Sequence, residues 1–106
     1  MQGDQWETLD AMVDTGATYS WVPRDILERL GVQPTDSSPF ILADGKQVVY
    51  PLAWVKMRLD GRETFSICVF GEPGSMALLG AFTLEALRLA ADPYNERLVP
   101  VPGYLL

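Results

Sequence analysis

The stretch Ala11–Pro23, AMVDTGATYSWVP, carries an apolar run directly into Asp14 and then turns at once through Thr15 and Gly16. Burying an unpaired carboxylate is costly, so an acid at the end of an apolar run needs a partner or a chemical role. Residues alternate between two faces just before this acid, which predicts a strand that ends at Asp14. The rest of the sequence has to identify the partner or the role.

Length and composition indicate one globular domain. The chain has 106 residues, a length at which a single domain buries roughly two-thirds of its unfolded surface. The formal net charge of −6 and the lack of a basic cluster disfavour nucleic acid and anionic membranes as partners. Apolar runs fall far short of the roughly 20 residues that span a bilayer, and no signal-peptide pattern is visible at the N-terminus.

The chain contains no histidine and one cysteine, which narrows the available chemistry. Without histidine, Ser-His-Asp catalysis and most zinc sites are excluded. Cys68 cannot form an intrachain disulfide, and within the apolar run FSICVF we expect it to be a small buried hydrophobic residue. These features favour a reducing, cytoplasmic location, and no metal or other cofactor is expected.

Two segments predict short helices. Residues 23–32, PRDILERLGV, fit a helix with Pro23 in its first turn and Gly31 in the left-handed conformation past its end. Nearer the C-terminus, the strand-like MALLG ends at Gly80, and the following AFTLEALRL predicts one or two helical turns. The proline-rich tail from residue 91 onward is expected to be extended.

Residues 40–70 predict two linked β-hairpins. Asp44-Gly45 and Asp60-Gly61 each lie between β-prone runs, and such pairs favour type I′ turns, in which both central residues have positive φ. Pro51 cannot donate to a strand ladder, which indicates a bend or a sheet edge. Together these elements predict a mainly β fold with one or two short helices. One face of the middle strand is predicted to carry Ala53, Val55, Met57 and Leu59.

The order of these elements resembles the retropepsin-like aspartic proteases. Three segments carry the resemblance: VDTGATYS at residues 13–20, ILADGKQ at residues 41–47 and ALLGAFTLEAL at residues 77–87. An Asp-Thr-Gly tripeptide alone is as typical of an ordinary turn, but the three segments in this order and at these separations are specific. The resemblance implies a single retropepsin-like domain over residues 1–106, built as a closed β-barrel.

The resemblance also implies a role for each segment. The implied catalytic acid is Asp14. The implied active-site loop, whose threonine hydroxyl bonds across a dimer, contains Thr15, Gly16 and Ala17. The implied flap spans residues 41–47 and closes over an extended polypeptide substrate by strand addition. Its substrate-contacting residues would be Ile41, Ala43, Asp44 and Gly45. The implied wall behind the catalytic loop consists of Leu78, Leu79 and Gly80.

A single Asp-Thr-Gly supplies only half of the implied site. Peptide hydrolysis by this family needs two carboxylates that share one proton, so that one accepts a proton from water while the other donates to the scissile carbonyl. The resemblance therefore implies a homodimer in which Asp14 meets its symmetry mate. Activity is expected to peak at acidic to mildly acidic pH, because the pair must hold one proton.

Two features depart from the family pattern. Only about a dozen residues precede Asp14, so the first family strand is short or missing, although such termini help to build the dimer sheet. Thr18 and Tyr19 stand where viral members often have acids, so viral substrate preferences do not transfer. A non-catalytic dimerisation or peptide-binding module on the same fold stays open as an alternative, as does release of this domain from a longer precursor.

Overall fold

The computed structural model describes residues 5–92 and 97–100. Within these ranges the chain is mainly β with two short helices, as predicted. No helix in the described part is long and apolar enough to cross a membrane. The helices are α1 (Arg24–Arg29) and α2 (Ala81–Ala86). The strands are β1 (Ala11–Val13), β2 (Ser20–Pro23), β3 (Asp36–Ile41), β4 (Gln47–Leu59), β5 (Arg62–Gly71), β6 (Ala77–Leu79), β7 (Leu89–Asp92) and β8 (Arg97–Pro100).

Six of the strands form one open sheet in the order β1-β6-β2-β5-β4-β3, and β7 pairs with β8 in a separate antiparallel hairpin. β1 runs parallel to β6 and β2 parallel to β5, while the remaining neighbours are antiparallel. A barrel requires its edge strands to pair, and here β1 and β3 remain edges. The expected closure into a barrel is therefore not confirmed.

A cavity of about 640 Å³ is lined by residues 5–9 and by side chains that include Val55, Met57 and Leu79.

Both predicted hairpins are confirmed, but their turns differ. Asp60 and Gly61 have φ of 51° and 75°, the pattern that a type I′ turn requires. In the Asp44-Gly45 pair only the glycine has positive φ, 85°, so the type I′ prediction is wrong there. The Lys46 amide donates to Asp44 Oδ1 over 2.9 Å, and this side-chain bond stabilises a wider loop between β3 and β4.

β4 links the two hairpins and contributes to the core. Residues 47–52 pair with β3 and residues 52–59 with β5. Pro51 lies where β4 pairs on one side only, which agrees with the edge position predicted from its missing amide. Ala53 is buried beside Cys68, as the predicted face requires, while Trp54 on the opposite face is exposed.

α1 ends in a Schellman motif that Gly31 makes accessible. Gly31 has a φ of 78°, and its amide donates to the Glu28 carbonyl oxygen over 3.0 Å. The Val32 amide donates to the Leu27 carbonyl oxygen, also over 3.0 Å, and these two side chains pack together in the core. The left-handed glycine is thus confirmed, whereas Pro23 precedes the first helical residue instead of lying in the first turn. The part of the tail at residues 93–96 and 101–106 lies outside the described residues.

Candidate active site

The loop after β1 holds Asp14 at the end of an apolar strand. Val13 is in register with Leu79 of β6, and the Asp14 amide donates to the Leu79 carbonyl oxygen over 3.0 Å. The Ala17 amide donates back to the Asp14 carbonyl oxygen over 3.1 Å, which closes a tight turn over residues 14–17. Asp14 therefore leaves the sheet at a defined position beside the end of β6.

The Asp14 carboxylate is half-buried and accepts a backbone hydrogen bond. The Gly16 amide donates to Asp14 Oδ1 over 3.0 Å. A Cβ at Gly16 would lie 3.3 Å from the same oxygen, so a side chain there would crowd the carboxylate. Thr15 between them is exposed. A bond from an amide to an ionised oxygen is a strong one, and it orients the acid.

The turn from β6 into α2 approaches this loop at Gly80. A Cβ at Gly80 would lie 2.5 Å from the Tyr19 carbonyl oxygen and 2.9 Å from that of Ala17, distances that real side chains do not keep. The φ of Gly80 is −89°, which any residue can adopt. Glycine is thus required here by close approach of two backbone segments, and not by an unusual backbone conformation.

The first amides of α2 bind the same loop. The Ala81 amide donates to the Ala17 carbonyl oxygen over 2.8 Å, and the Phe82 amide donates to the Thr18 carbonyl oxygen over 2.9 Å. These amides have no partner inside the helix, because the first turn of any helix leaves its donors unpaired. The loop carbonyls therefore cap α2, and α2 in turn holds the loop.

β6 lies beside the loop that carries Asp14. It lies between β1 and β2, and Leu78 is in register with Met12 on one side and with Trp21 on the other. The loop over residues 14–19 consequently crosses the end of β6. The structure thus brings together two of the three predicted groups of site residues: Asp14, Thr15, Gly16 and Ala17 with Leu78, Leu79 and Gly80.

The predicted flap residues form a separate hairpin tip. Ile41 is 77% exposed, and Ala43, Asp44 and Gly45 are exposed as well. The tip is held by its own bonds, such as that from the Gly45 amide to the Leu42 carbonyl oxygen over 2.8 Å. Within the described ranges, no hydrogen bond joins these tip residues to residues 14–17.

The comparison with protein families agrees with this geometry. A sequence model of a family described as aspartyl protease matches residues 2–82. The chain belongs to the retropepsin-like aspartyl proteases. The matched range contains the Asp14 loop, the hairpin of β3 and β4, and the turn at Gly80. No curated protein sequence matches the chain.

The chain contains an aromatic cluster that its sequence did not reveal. The Trp21 ring packs edge-on against Phe40 and Tyr50, with ring centroids 5.0 Å apart in both pairs. Phe40 pairs with Val48, and Tyr50 lies two residues further along β4, so both rings stand on one face of the hairpin. Side chains alternate between the two faces of a strand, and counting this alternation away from the hairpin turn would have placed Phe40 and Tyr50 on the same face. The cluster holds the part of the hairpin nearest its tip against β2.

Three buried hydroxyls were missed as well. Ser20, Ser66 and Thr83 are at most 1% exposed, and they are the buried polar residues within the described part of the chain. Ser20 Oγ and Ser66 Oγ lie 2.6 Å and 2.7 Å from Thr83 Oγ1. The Gly80 amide donates to Ser20 Oγ over 3.0 Å. Their sequence spacing carries no signal, since β2, β5 and α2 each contribute one residue.

Cys68 lies outside the candidate site. Its side chain is fully buried, as predicted, in the core with Leu27 and Phe70. Burial raises the pKa of the thiol to about 12. The nucleophilic thiolate is therefore scarce at neutral pH, and a cysteine-dependent mechanism is excluded.

Proposed function

We propose that this chain is the protomer of a homodimeric aspartic endopeptidase, which hydrolyses peptide bonds in an extended polypeptide. Membership of the aspartyl protease family supports a peptidase. The observation that carries the proposal is the Asp14 carboxylate, half-exposed at a strand end and held by the Gly16 amide on Oδ1. Such preorganisation is what an acid–base catalyst needs.

A second copy supplies the second carboxylate. Hydrolysis without a metal or histidine needs two acids that share a proton, and the sequence holds one Asp-Thr-Gly. Among the described residues β1 is an edge strand with one neighbour, β6, and its Met12 and Val13 are 54% and 39% exposed. Two copies related by a two-fold axis would cover these apolar side chains and place Asp14 opposite the same residue of the second copy.

The reaction proceeds by general acid–base catalysis. The ionised carboxylate of the pair accepts a proton from water, and the water oxygen attacks the scissile carbonyl carbon. The protonated carboxyl donates its proton to the carbonyl oxygen at the same time. The carboxyl that took the proton from water then donates it to the amide nitrogen, while the other carboxylate takes a proton from one hydroxyl of the tetrahedral diol. The C–N bond breaks, a carboxylic acid and an amine are released, and the pair again holds one proton. Two carboxylates in contact do not both ionise cheaply, so the pair retains the one proton that this cycle uses.

The hairpin tip over residues 41–47 would serve as the flap. Its exposed backbone suits strand addition by an extended substrate, and closure would exclude water from the acids. Trp21 contacts Phe40 and Tyr50, which lie on the strands just before and after the tip. The exposed tip beyond these contacts has room to move while the strands beside it stay attached to β2.

Replacement of Asp14 tests the proposal. Asp14→Asn should fold and dimerise but cleave no member of a mixed peptide library at any pH between acidic and neutral. Asp36→Asn is the matched control, because Asp36 is an exposed acid whose Oδ1 also accepts a nearby backbone amide, that of Ser37, over 2.8 Å. The control should cleave as wild type does, and cleavage should be blocked by a hydroxyl-bearing transition-state mimic. Normal cleavage by Asp14→Asn would refute the mechanism.

A second candidate is a peptide-binding or dimerisation module that performs no turnover. The exposed apolar side chains of β1 and of the hairpin tip favour it, because they would serve binding without any chemistry. This candidate predicts that wild type binds extended peptides, measured by calorimetry, yet leaves every one intact at all pH values. Cleavage by wild type that Asp14→Asn abolishes would exclude it.

A further inference from the structure

We propose that Thr83 is a positioning residue of this protease, whose buried hydroxyl holds the turn at Gly80 against the loop that carries Asp14. The inference rests on the proposed function, because positioning of Asp14 matters for catalysis only if Asp14 is the catalytic acid. Thr83 acts on this loop through other residues, by a series of hydrogen bonds and close backbone contacts.

The first part of the connection joins three hydroxyls to one amide. Thr83 Oγ1 lies 2.6 Å from Ser20 Oγ and 2.7 Å from Ser66 Oγ. It also lies 3.9 Å from Met57 Sδ, a weak acceptor. Ser20 and Ser66 can therefore both donate to Thr83, while Thr83 donates to the sulfur. In that arrangement every hydroxyl hydrogen has an acceptor, and Ser20 Oγ is left to accept the Gly80 amide over 3.0 Å.

The second part of the connection joins that amide to the catalytic loop. A Cβ built on Gly80 would lie 2.9 Å from the Ala17 carbonyl oxygen, so the two backbone segments are already in close contact. The Ala81 amide, one residue further, donates to the same Ala17 oxygen over 2.8 Å. A shift of Gly80 therefore displaces Ala17, which closes the turn that begins at Asp14. Packed segments of this kind transmit small displacements, because there is no space to absorb them.

Burial makes the hydroxyl of Thr83 hard to replace. Ser20, Ser66 and Thr83 are all at most 1% exposed, and no buried side-chain nitrogen or oxygen in the described ranges lacks a partner. Without the Thr83 hydroxyl, Ser20 and Ser66 would lose their shared partner in a dry environment, and the Gly80 amide would bond to a hydroxyl that is free to rotate. Packing alone does not require a hydroxyl here, since valine has nearly the same shape.

Three variants separate positioning from packing. Thr83→Val keeps the shape and removes the hydroxyl, while Thr83→Ser keeps the hydroxyl. Thr64→Val is the matched control, because Thr64 lies on β5 two residues from Ser66, and within the described ranges its hydroxyl donates only to the carbonyl oxygen of Phe65, over 3.3 Å. For each protein, kcat and KM are measured on a peptide substrate, with active sites titrated by a hydroxyl-bearing transition-state mimic. Native-state hydrogen exchange of the Gly80 amide is measured in parallel.

We expect Thr83→Val to lower kcat about tenfold with KM changed by less than about twofold, because displaced catalytic groups impair the chemical step more than substrate binding. Exchange of the Gly80 amide should accelerate by about tenfold as well, since its acceptor is no longer fixed. Thr83→Ser and Thr64→Val should stay within about twofold of wild type in both measurements. Wild-type kcat and wild-type Gly80 exchange in titrated Thr83→Val would overturn the proposal.

The proposal can still be tested if Thr83→Val does not fold or if wild type shows no activity. If Thr83→Val fails to fold, Ser66→Ala takes its place, because it removes the far end of the network and leaves the bond between Ser20 and Gly80. It should accelerate Gly80 exchange by about threefold, and unchanged exchange would overturn the proposal. If wild type cleaves no peptide, the proposed function fails, and Gly80 exchange in Thr83→Val still decides whether this hydroxyl positions the turn.

Discussion

At the scale of single residues, Gly80 makes the closest backbone approach in the site, and we predict that it does not tolerate even a methyl group. Gly80→Ala places a Cβ 2.5 Å from the Tyr19 carbonyl oxygen, so the loop that carries Asp14 must move. We expect a loss of about 3 kcal/mol in the free energy of unfolding, as for other overpacked sites, together with loss of cleavage. Urea denaturation and peptide cleavage provide the two measurements.

Gly74→Ala is the control for this prediction. Gly74 has a φ of 78° and open space around its Cβ position, so alanine there introduces backbone strain without a clash. That strain costs about 1 kcal/mol. The prediction is contradicted if Gly80→Ala is no more destabilising than Gly74→Ala, because the steric argument at the loop would then be wrong.

Cys68 gives a prediction about alkaline pH. Burial raises its pKa to about 12 from a usual value near 9, so the folded state holds the thiol proton more tightly than the unfolded state. The resulting stability is present in full below about pH 9 and is lost as the pH rises toward 12. Relative to Cys68→Val, wild type should lose up to about 1.4 kcal/mol in unfolding free energy per pH unit in that window. Urea denaturation between pH 7 and 10.5 tests this, and parallel profiles of the two proteins would contradict it.

At the scale of elements, the hairpin of β3 and β4 depends on its aromatic contacts with β2. Phe40→Ala removes a half-buried ring that packs 5.0 Å from Trp21 and 6.0 Å from Tyr50, centroid to centroid. We expect a loss of about 2 kcal/mol in unfolding free energy, and a raised KM because the hairpin tip, the proposed flap, is held less firmly. Phe65→Ala is the control, since that ring is 61% exposed, and it should cost less than about 0.5 kcal/mol. Equal losses in the two variants would show that the cluster does not anchor the hairpin.

The individual elements were predictable where a local rule decides the conformation. Gly31 ends α1 and Asp60-Gly61 makes a type I′ turn because each requires positive φ, which few residues adopt cheaply. Asp44-Gly45 is the same dipeptide but forms a different turn, because the Asp44 side chain accepts a hydrogen bond from the Lys46 amide. A dipeptide rule does not include that competing bond. Local patterns therefore located both hairpins and misjudged one turn.

At the scale of the whole molecule, the order of the strands in the sheet could not be predicted from local sequence patterns. β1 pairs with β6 and β2 pairs with β5, each in parallel and across more than 40 residues of chain. Periodicity predicts strands but carries no information about such distant partners. The contact between Asp14 and Leu79 was reached through resemblance to a family, and the hydroxyls of Ser20, Ser66 and Thr83 were not found at all. Barrel closure, also implied by resemblance, is not confirmed because β1 and β3 remain edges.

The proposed catalytic unit exists only when two copies meet, and this gives a prediction for mixtures. A ninefold excess of Asp14→Asn chains, mixed with a fixed amount of wild type and left to exchange subunits, should lower the cleavage rate about tenfold. The reason is that a wild-type chain then meets a wild-type partner only about one time in ten, and a mixed pair has one acid. The same excess of Asp36→Asn should raise the rate, since every pair keeps both acids. Mass spectrometry of isotope-labelled chains confirms that mixed dimers form. If they form and the rate stays unchanged, one Asp14 per dimer suffices, and two acids sharing a proton cannot be the mechanism.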